Sequence, residues 1–204
     1  MAYSQNNEEQ IILELLAKAG YPESIPGRFM DIGAYDGKTF SNTLRLAELG
    51  WAGVCVEPSP TAFAGLLKVH ADNPEVILVN AAVGVKDEWI DFYDSGGDAV
   101  SSSSTQHVSK WQTNAGVKFS RFMLKSISMD ELFTKFGSNF QFINLDVESL
   151  NINLFRILPW TWLKNTLILC VEHDRHIEEM TAVGAQNGFK VAHENAENLI
   201  LSRV

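Results

Sequence analysis

Apolar residues recur along this chain with two different periods, and the alternation between them sets out the elements. Over residues 6–19 the apolar positions Ile11, Ile12, Leu15 and Leu16 fall at helical spacing, and Gly20 and Pro22 end the run. A short apolar strand is expected over 28–33, followed by a helix over 40–49 that Gly50 stops. Residues 51–57 are a continuous apolar run closed by Glu57 and Pro58, the pattern of a parallel strand buried on both faces. The same rhythm gives a helix over 61–69, a strand over 76–80 that leads into Ala81 to Gly84, and a further alternating strand over 87–93. Beyond a long polar stretch come a strand over 119–127 and a helix opened by Ser128 as N-cap. Then follow a strand over 140–145, a short helix over 154–160 cut by Pro159, a strand over 166–171 and a helix over 177–186 ended by Gly188. Strands over 190–193 and 198–204, joined by a polar turn, close the chain as a hairpin. Strands alternating with helices predict an α/β fold: a Rossmann-like, doubly wound, mostly parallel sheet with one antiparallel strand in the C-terminal hairpin.

In domain terms, residues 1–27 read as an N-terminal helix and lead-in, and 28–204 as a single domain. Residues 96–116 are the one long stretch without periodicity, containing Gly96-Gly97 and a serine run. Loops of that length in compact domains are usually functional, so a mobile cover over a ligand is expected there.

The turn after the first strand carries the first chemistry. Asp31-Ile32-Gly33-Ala34-Tyr35-Asp36-Gly37 is a Gly-x-x-x-Gly loop, where residues without a Cβ let backbone approach a ligand. Pyrophosphate-binding loops are tighter, G-x-G-x-x-G, and here Ala34 stands where that pattern would continue. Asp31 and Asp36 repel anions and favour a ligand with an amino group. S-adenosylmethionine, with an ammonium, a sulfonium and no phosphate, meets both conditions. Glu57 ends the second strand, where such folds place an acid that accepts hydrogen bonds from ribose hydroxyls. Small residues at 81–84 leave room for a flat adenine beside Asn80.

Composition narrows the class. The 204 residues are 46% hydrophobic and 20% charged, as in a water-soluble globular protein. No apolar run approaches the ~20 residues of a membrane-spanning helix, and the polar, acidic first ten residues are not those of a signal peptide. Cys55 and Cys170 lie in apolar runs, read as buried free thiols, so a reducing, cytoplasmic location is expected. A net charge of −9 without a basic cluster argues against binding nucleic acid.

As a set, DIGAYDG (31–37), VEPSP (56–60), NAAVG (80–84), SMDEL (128–132), INLDVES (143–149) and NLILSRV (198–204) resemble class I S-adenosylmethionine-dependent methyltransferases, within them the FkbM-type family. The resemblance runs from residue 28 to the end of the chain. It implies a seven-stranded sheet and a cofactor site in which Gly33, Ala34, Tyr35, Asp36 and Gly37, with Asp31, lie along the methionine part. Glu57 and Pro58 would lie at the ribose, Asn80, Ala81 and Ala82 at the adenine, and Asp146 below the methyl group. It also implies a small-molecule or sugar hydroxyl as acceptor. The chain departs from the family pattern at Asn144, Ser149 and Asn151, positions expected on the acceptor side.

Transfer to a hydroxyl needs alignment, exclusion of water and help with the proton. Asp146 and His173 are the candidate bases, with His173 favoured by its ordinary pKa. Asp146, Glu172 and His173, with His176 nearby, form the lesser alternative of a divalent-metal site. A fold-retaining binding protein without turnover and an NAD-dependent oxidoreductase are the rival readings; the first is opposed by the intact glycine loop and Glu57, the second by the missing G-x-G-x-x-G.

Overall fold

The computed structural model describes residues 3–97 and 99–204; Met1 and Ala2, in the predicted lead-in, and Asp98, in the predicted cover, lie outside the described residues. In chain order the elements are α1 (Glu8–Lys18), β1 (Arg28–Ile32), α2 (Leu44–Glu48), β2 (Ala52–Val56), α3 (Pro60–Val69), β3 (Val76–Val79), β4 (Ala82–Gly84) and β5 (Trp89–Asp94). They continue with α4 (Thr105–Ala115), β6 (Ser120–Ser128), α5 (Met129–Phe136), β7 (Phe142–Leu145), α6 (Asn151–Arg156), β8 (Ile168–Glu172), α7 (Ile177–Gln186), β9 (Lys190–Glu194) and β10 (Asn198–Ser202).

Seven strands form one sheet in the order β3-β2-β1-β7-β8-β10-β9. Neighbours are parallel except at β10, which runs against both β8 and β9. The fold class expected from the sequence is the one observed. Its central strands are buried on both faces, so alternate residues feed two cores. Met30, Ile32, Val54, Val56, Ile143, Leu145, Leu169 and Val171 meet α5, α6 and α7 on one side. Phe29, Cys55, Phe142, Ile168 and Cys170 meet α1, α2 and α3 on the other. Burial of these side chains, worth about 1.5–3 kcal/mol each, holds the layers together.

After β3 the chain leaves the main sheet. β4, β6 and β5 form a second, three-stranded sheet that periodicity alone did not reveal, β4 pairing parallel and β5 antiparallel with β6.

Three predicted elements are corrected. The helix over 40–49 shrinks to α2, because the Ser41 Oγ accepts from the N–H groups of Thr43 and Leu44 and Phe40 takes a left-handed conformation (φ 59°). The helix over 154–160 starts earlier, at Asn151, and ends at Arg156, ahead of Pro159. The stretch over 96–116 is not irregular throughout: residues 105–115 form α4, capped by the Ser104 hydroxyl and ended by Gly116 in the left-handed region. Among the described residues no helix is long and apolar enough to cross a membrane, and both cysteines are free and buried.

Candidate functional site

Connections leave β1 toward β2 on one side and the sheet continues to β7 on the other, so a crevice opens beyond the carboxyl ends of β1 and β7. Gly33 makes the approach of these ends possible: it has φ +90°, and a Cβ there would lie 1.6 Å from the Asp146 carbonyl oxygen. The N–H groups of Gly33 and Ala34 both donate to the Val56 carbonyl, which fixes the turn against β2. Tyr35 follows in a left-handed conformation, and its N–H donates to Glu57 Oε2 at 2.9 Å. The Ser59 N–H donates to Oε1 at 2.7 Å. Both oxygens of Glu57 are thus oriented by backbone while the group is buried, and that burial pushes its pKa up to about 7.

Asp36, Gly37 and Asn80 do not reach the crevice. The Asp36 carboxylate accepts from the N–H groups of Lys38 and Thr39 and from the Thr39 hydroxyl, closing the turn. Gly37 (φ +77°) packs against Leu66 of α3. Asn80 is exposed, and its amide donates to the carbonyls of Glu57 and Pro58.

Deeper in, Asp31 anchors a chain of amides. Its Oδ2 accepts from the Thr43 hydroxyl at 2.5 Å and its Oδ1 from Asn144 Nδ2 at 2.9 Å. A carboxylate takes donors only, so Asn144 must turn its Oδ1 outward, where Asn42 Nδ2 donates to it at 3.0 Å. Asn42 must then present its own Oδ1 to the far side. That oxygen is buried and has no hydrogen-bond partner among the described residues, although Asn42 lines the cavity. Asn144, one of the departures from the family pattern, is therefore the middle link of this chain.

The ends of β7 and β8 carry acids. The carboxyl groups of Asp146 and Glu172 share a hydrogen bond, with burial raising both pKa values, that of Asp146 to about 7. Glu148 is raised as well, by burial first and then by the charges of Glu172, Asp174 and Glu197. Asn151, fully buried, organises this corner: its Oδ1 accepts from the Val147 N–H at 2.8 Å, and its Nδ2 donates to Glu172 at 2.6 Å and Asp174 at 3.0 Å. Glu148, Ser149, Asp174 and Arg175 have positive φ, so strained backbone gathers where these strands end. Ser149 and Asn151, expected on the acceptor side, support the wall without lining it; Ser149 Oγ lies 2.8 Å from His107 Nδ1 of α4.

His173 does not fill the role of base. Its Nδ1 accepts from the Arg175 N–H at 3.0 Å, which leaves Nε2 to donate to the Asn195 carbonyl at 3.2 Å. Both ring nitrogens are committed, the side chain is buried, and it does not line the cavity. The alternative metal set fails for the same reason: His173 faces the hairpin turn. Among the described residues no group of three or more His, Cys, Asp or Glu side chains is arranged to hold a metal ion.

The crevice encloses a cavity of about 390 Å³, within the range of small-molecule sites. Gly33, Ala34, Tyr35, Glu57, Pro58, Ala81, Ala82, Asp31 and Asp146 line it, as do residues that sequence patterns did not single out. Those include Gln5 and Glu8 of the N-terminal segment, Asn42, Glu197 and Asn198, while Trp111 of α4 and residues 99–103 line it from within the stretch expected to cover a ligand. The Tyr35 hydroxyl donates to the Gly97 carbonyl and ties the latter segment down over the turn. Glu8 had one legible signal: it is in phase with the buried Ile12 and Leu16, an acid on an apolar face. The walls carry the carboxyl groups of Glu8, Asp31, Glu57, Asp146, Glu148, Glu172 and Glu197, and among the described residues no Lys, Arg or His.

A sheet in this strand order, with a glycine turn after β1 and an acid after β2, has the architecture of S-adenosylmethionine-dependent methyltransferases. Solved structures of that class share the fold. One is monomeric WbdD, 12% identical over 98% of this chain and 42% of that one, TM-score 0.52. Another is the SAM-dependent methyltransferase from Agrobacterium tumefaciens, 12% identical over 98% of this chain and 64% of that one, TM-score 0.50. This chain thus spans less than two thirds of either relative. Among curated proteins none matches the sequence significantly. The methyltransferase FkbM domain model matches residues 31–197, and the chain belongs to that family.

Proposed function

We propose that the protein binds S-adenosylmethionine in this cavity and transfers the methyl group to a hydroxyl of a small molecule or sugar. The observation that carries the reading is the Glu57 carboxylate, held by the Tyr35 and Ser59 N–H groups beside the Gly33 turn and facing a cavity of about 390 Å³. Its remaining lone pairs suit two neighbouring hydroxyls, as a ribose offers. The small side chains of Ala81 and Ala82 leave a slot for a flat ring next to it. Asp31, which lines the cavity, is an acceptor and fits a ligand that brings an amino group. A wall without Lys, Arg or His among the described residues fits a positively charged ligand and opposes the pyrophosphate of NAD.

When bound, the cofactor supplies a methyl group on a sulfonium, for which a neutral thioether is the leaving group. The chain's part would be to align the acceptor hydroxyl, exclude water and take up the hydroxyl proton. Asp146 is the residue we assign to the proton. It stands at the end of β7 against the Gly33 turn, and its raised pKa matches a base working near neutrality. Glu172, hydrogen-bonded to it, orients it. Residues 99–103 and Trp111 exclude water from above.

Calorimetry with S-adenosylmethionine, S-adenosylhomocysteine and NAD tests the first half: micromolar binding of the first two is expected, and a preference for NAD overturns it. Incubation with a metabolite pool and methyl-labelled S-adenosylmethionine, followed by identification of the labelled product, tests the second. Label on an ether oxygen supports the reading, and label on nitrogen or carbon overturns it.

A further inference from the structure

Little holds α4 to the rest of the molecule. Of its residues only His107 and Val108 are buried and Trp111 is half-buried; the others are exposed. A helix docked by so few side chains opens locally at a small fraction of the cost of unfolding the domain. The chain on either side suits such an opening. Before α4, the backbone is anchored: Tyr93 and Ser102 exchange N–H to carbonyl bonds at 3.0 and 3.1 Å, and the Ser102 hydroxyl donates to the Glu148 carbonyl at 3.1 Å. After α4 comes Gly116, in the left-handed region and with open space where a Cβ would stand. The helix can therefore turn between Ser102 and Gly116 without disturbing either sheet, and it carries one cavity-lining residue with it, Trp111.

His107 is the unexpected member of the docked pair, because an apolar side chain in its place would seat α4 more firmly. Its Nδ1 lies 2.8 Å from Ser149 Oγ, and its ring leans on Trp111, with centroids 6.1 Å apart. Its Nε2 is buried and has no hydrogen-bond partner among the described residues. The acceptors facing the ring are Glu148 Oε2, 3.7 Å from Nε2, and the Val100 carbonyl. At 3.7 Å the contact with Glu148 stops short of a hydrogen bond, so one side of the ring is engaged and the other is not. The receiving residues are strained as well: Glu148 and Ser149 have φ of 50° and 73°. An unmade buried hydrogen bond and strained backbone meet at one seam, where the helix touches the cavity wall.

The geometry points to α4 as a flap over the cavity and to His107 as its latch, with closure bringing Nε2 the remaining distance to Glu148 while Trp111 seals the wall. Opening lifts Trp111 away and uncovers a port beside Glu148 and Leu150, which line the same cavity. His107 does not line the cavity; it is a positioning residue that acts through Trp111 and Glu148. The inference relies on the proposed function only for the identity of the ligand that passes. A latch that the ligand does not touch has a kinetic signature. Weakening it speeds entry and exit together and leaves affinity nearly as it was, whereas loss of a ligand contact speeds exit alone.

The test uses the full chain, with S-adenosylhomocysteine as probe and tryptophan fluorescence in stopped flow as readout. His107→Phe keeps a ring against Trp111 and removes both polar contacts. Its association and dissociation rate constants should each rise about tenfold, the effect of one or two net hydrogen bonds, with Kd within about threefold of wild type. Amide hydrogen exchange in the ligand-free protein should speed up about tenfold over residues 105–115 and stay unchanged over β1 and β2. Ser149→Ala, which removes the partner of Nδ1 without altering a cavity-lining side chain, should move both rates the same way by a smaller factor and add nothing in the double variant. Unchanged rates overturn the latch. So does faster dissociation alone with loss of affinity, which makes His107 a ligand contact, and so does faster exchange spread over the sheet, which makes it an ordinary core residue. If His107→Phe does not fold, Ser149→Ala decides, and unchanged rates in that variant overturn the inference. If S-adenosylhomocysteine does not bind, the proposed function falls, and exchange over 105–115 in the ligand-free variants still decides the latch.

Discussion

The two ends of the cavity are made of different material. Around Gly33 the wall is backbone: a glycine turn, a left-handed Tyr35 and N–H groups that hold Glu57. Around Glu148 it is side chain, with the carboxyl groups of Glu172 and Asp174 held by the amide of Asn151. Backbone geometry is fixed by strand pairing and tolerates no change of shape, whereas a wall of side chains can be exchanged one residue at a time. The first end therefore suits a constant ligand and the second a variable one.

That contrast is open to attack, and the largest effect is expected at the boundary. Asp146→Asn should lower methyl-transfer turnover by about 10²–10⁴ with S-adenosylmethionine affinity nearly unchanged, read by steady-state kinetics and calorimetry. If affinity and turnover fall together, Asp146 belongs to the cofactor end alone. Gly33→Ala should come next, destabilising the fold by more than about 3 kcal/mol in denaturant unfolding, since the added carbon collides with the Asp146 carbonyl. A stable Gly33→Ala variant would show that the backbone end yields after all.

Glu57→Ala should weaken S-adenosylmethionine by about 1.5–3 kcal/mol. The same carboxyl sets a pH dependence. Its folded pKa, about 7, stands above its ordinary 4.5, so the stability contributed by its protonation is full below pH 4.5 and lost as pH rises through 7. Ligand-free protein should accordingly become less stable between those limits, by at most about 3 kcal/mol from this group, and Glu57→Gln should flatten the slope. The smallest effect is expected for His173→Gln: about 1 kcal/mol of stability and turnover within a few-fold of wild type, because the ring serves the β8 turn. Loss of most turnover in a folded His173→Gln would restore the histidine as the base.

The contrast also explains what could be read in advance. Gly33, Glu57 and Asp146 were legible because each sits at the end of an apolar strand, and strand ends are visible in sequence. Glu8 and Glu197 were not, because they arrive from elements whose place in space follows from tertiary packing. α4 escaped notice since only His107 and Val108 are buried on it, too few for an apolar stripe. His173 was misjudged by proximity: it follows Glu172 directly, yet the turn through Asp174 and Arg175 folds its ring back against Asn195. The shortened α2 reflects Ser41 and Asp36 competing for backbone N–H groups, which propensity does not count.

The Glu8 clasp has a consequence for the order in which the protein can assemble. Its carboxylate is met by Asn195 and Asn198, 187 and 190 positions further along. During synthesis α1 emerges well ahead of β10, so the Glu8 carboxylate waits for its asparagine partners until the hairpin of β9 and β10 is made. The glycine turn needs only β1, β2 and β7 and can close earlier. Pulse-labelling hydrogen exchange during refolding should find the amides of β1 and β2 protected before those of α1; simultaneous protection would mean that the clasp forms with the sheet rather than after it.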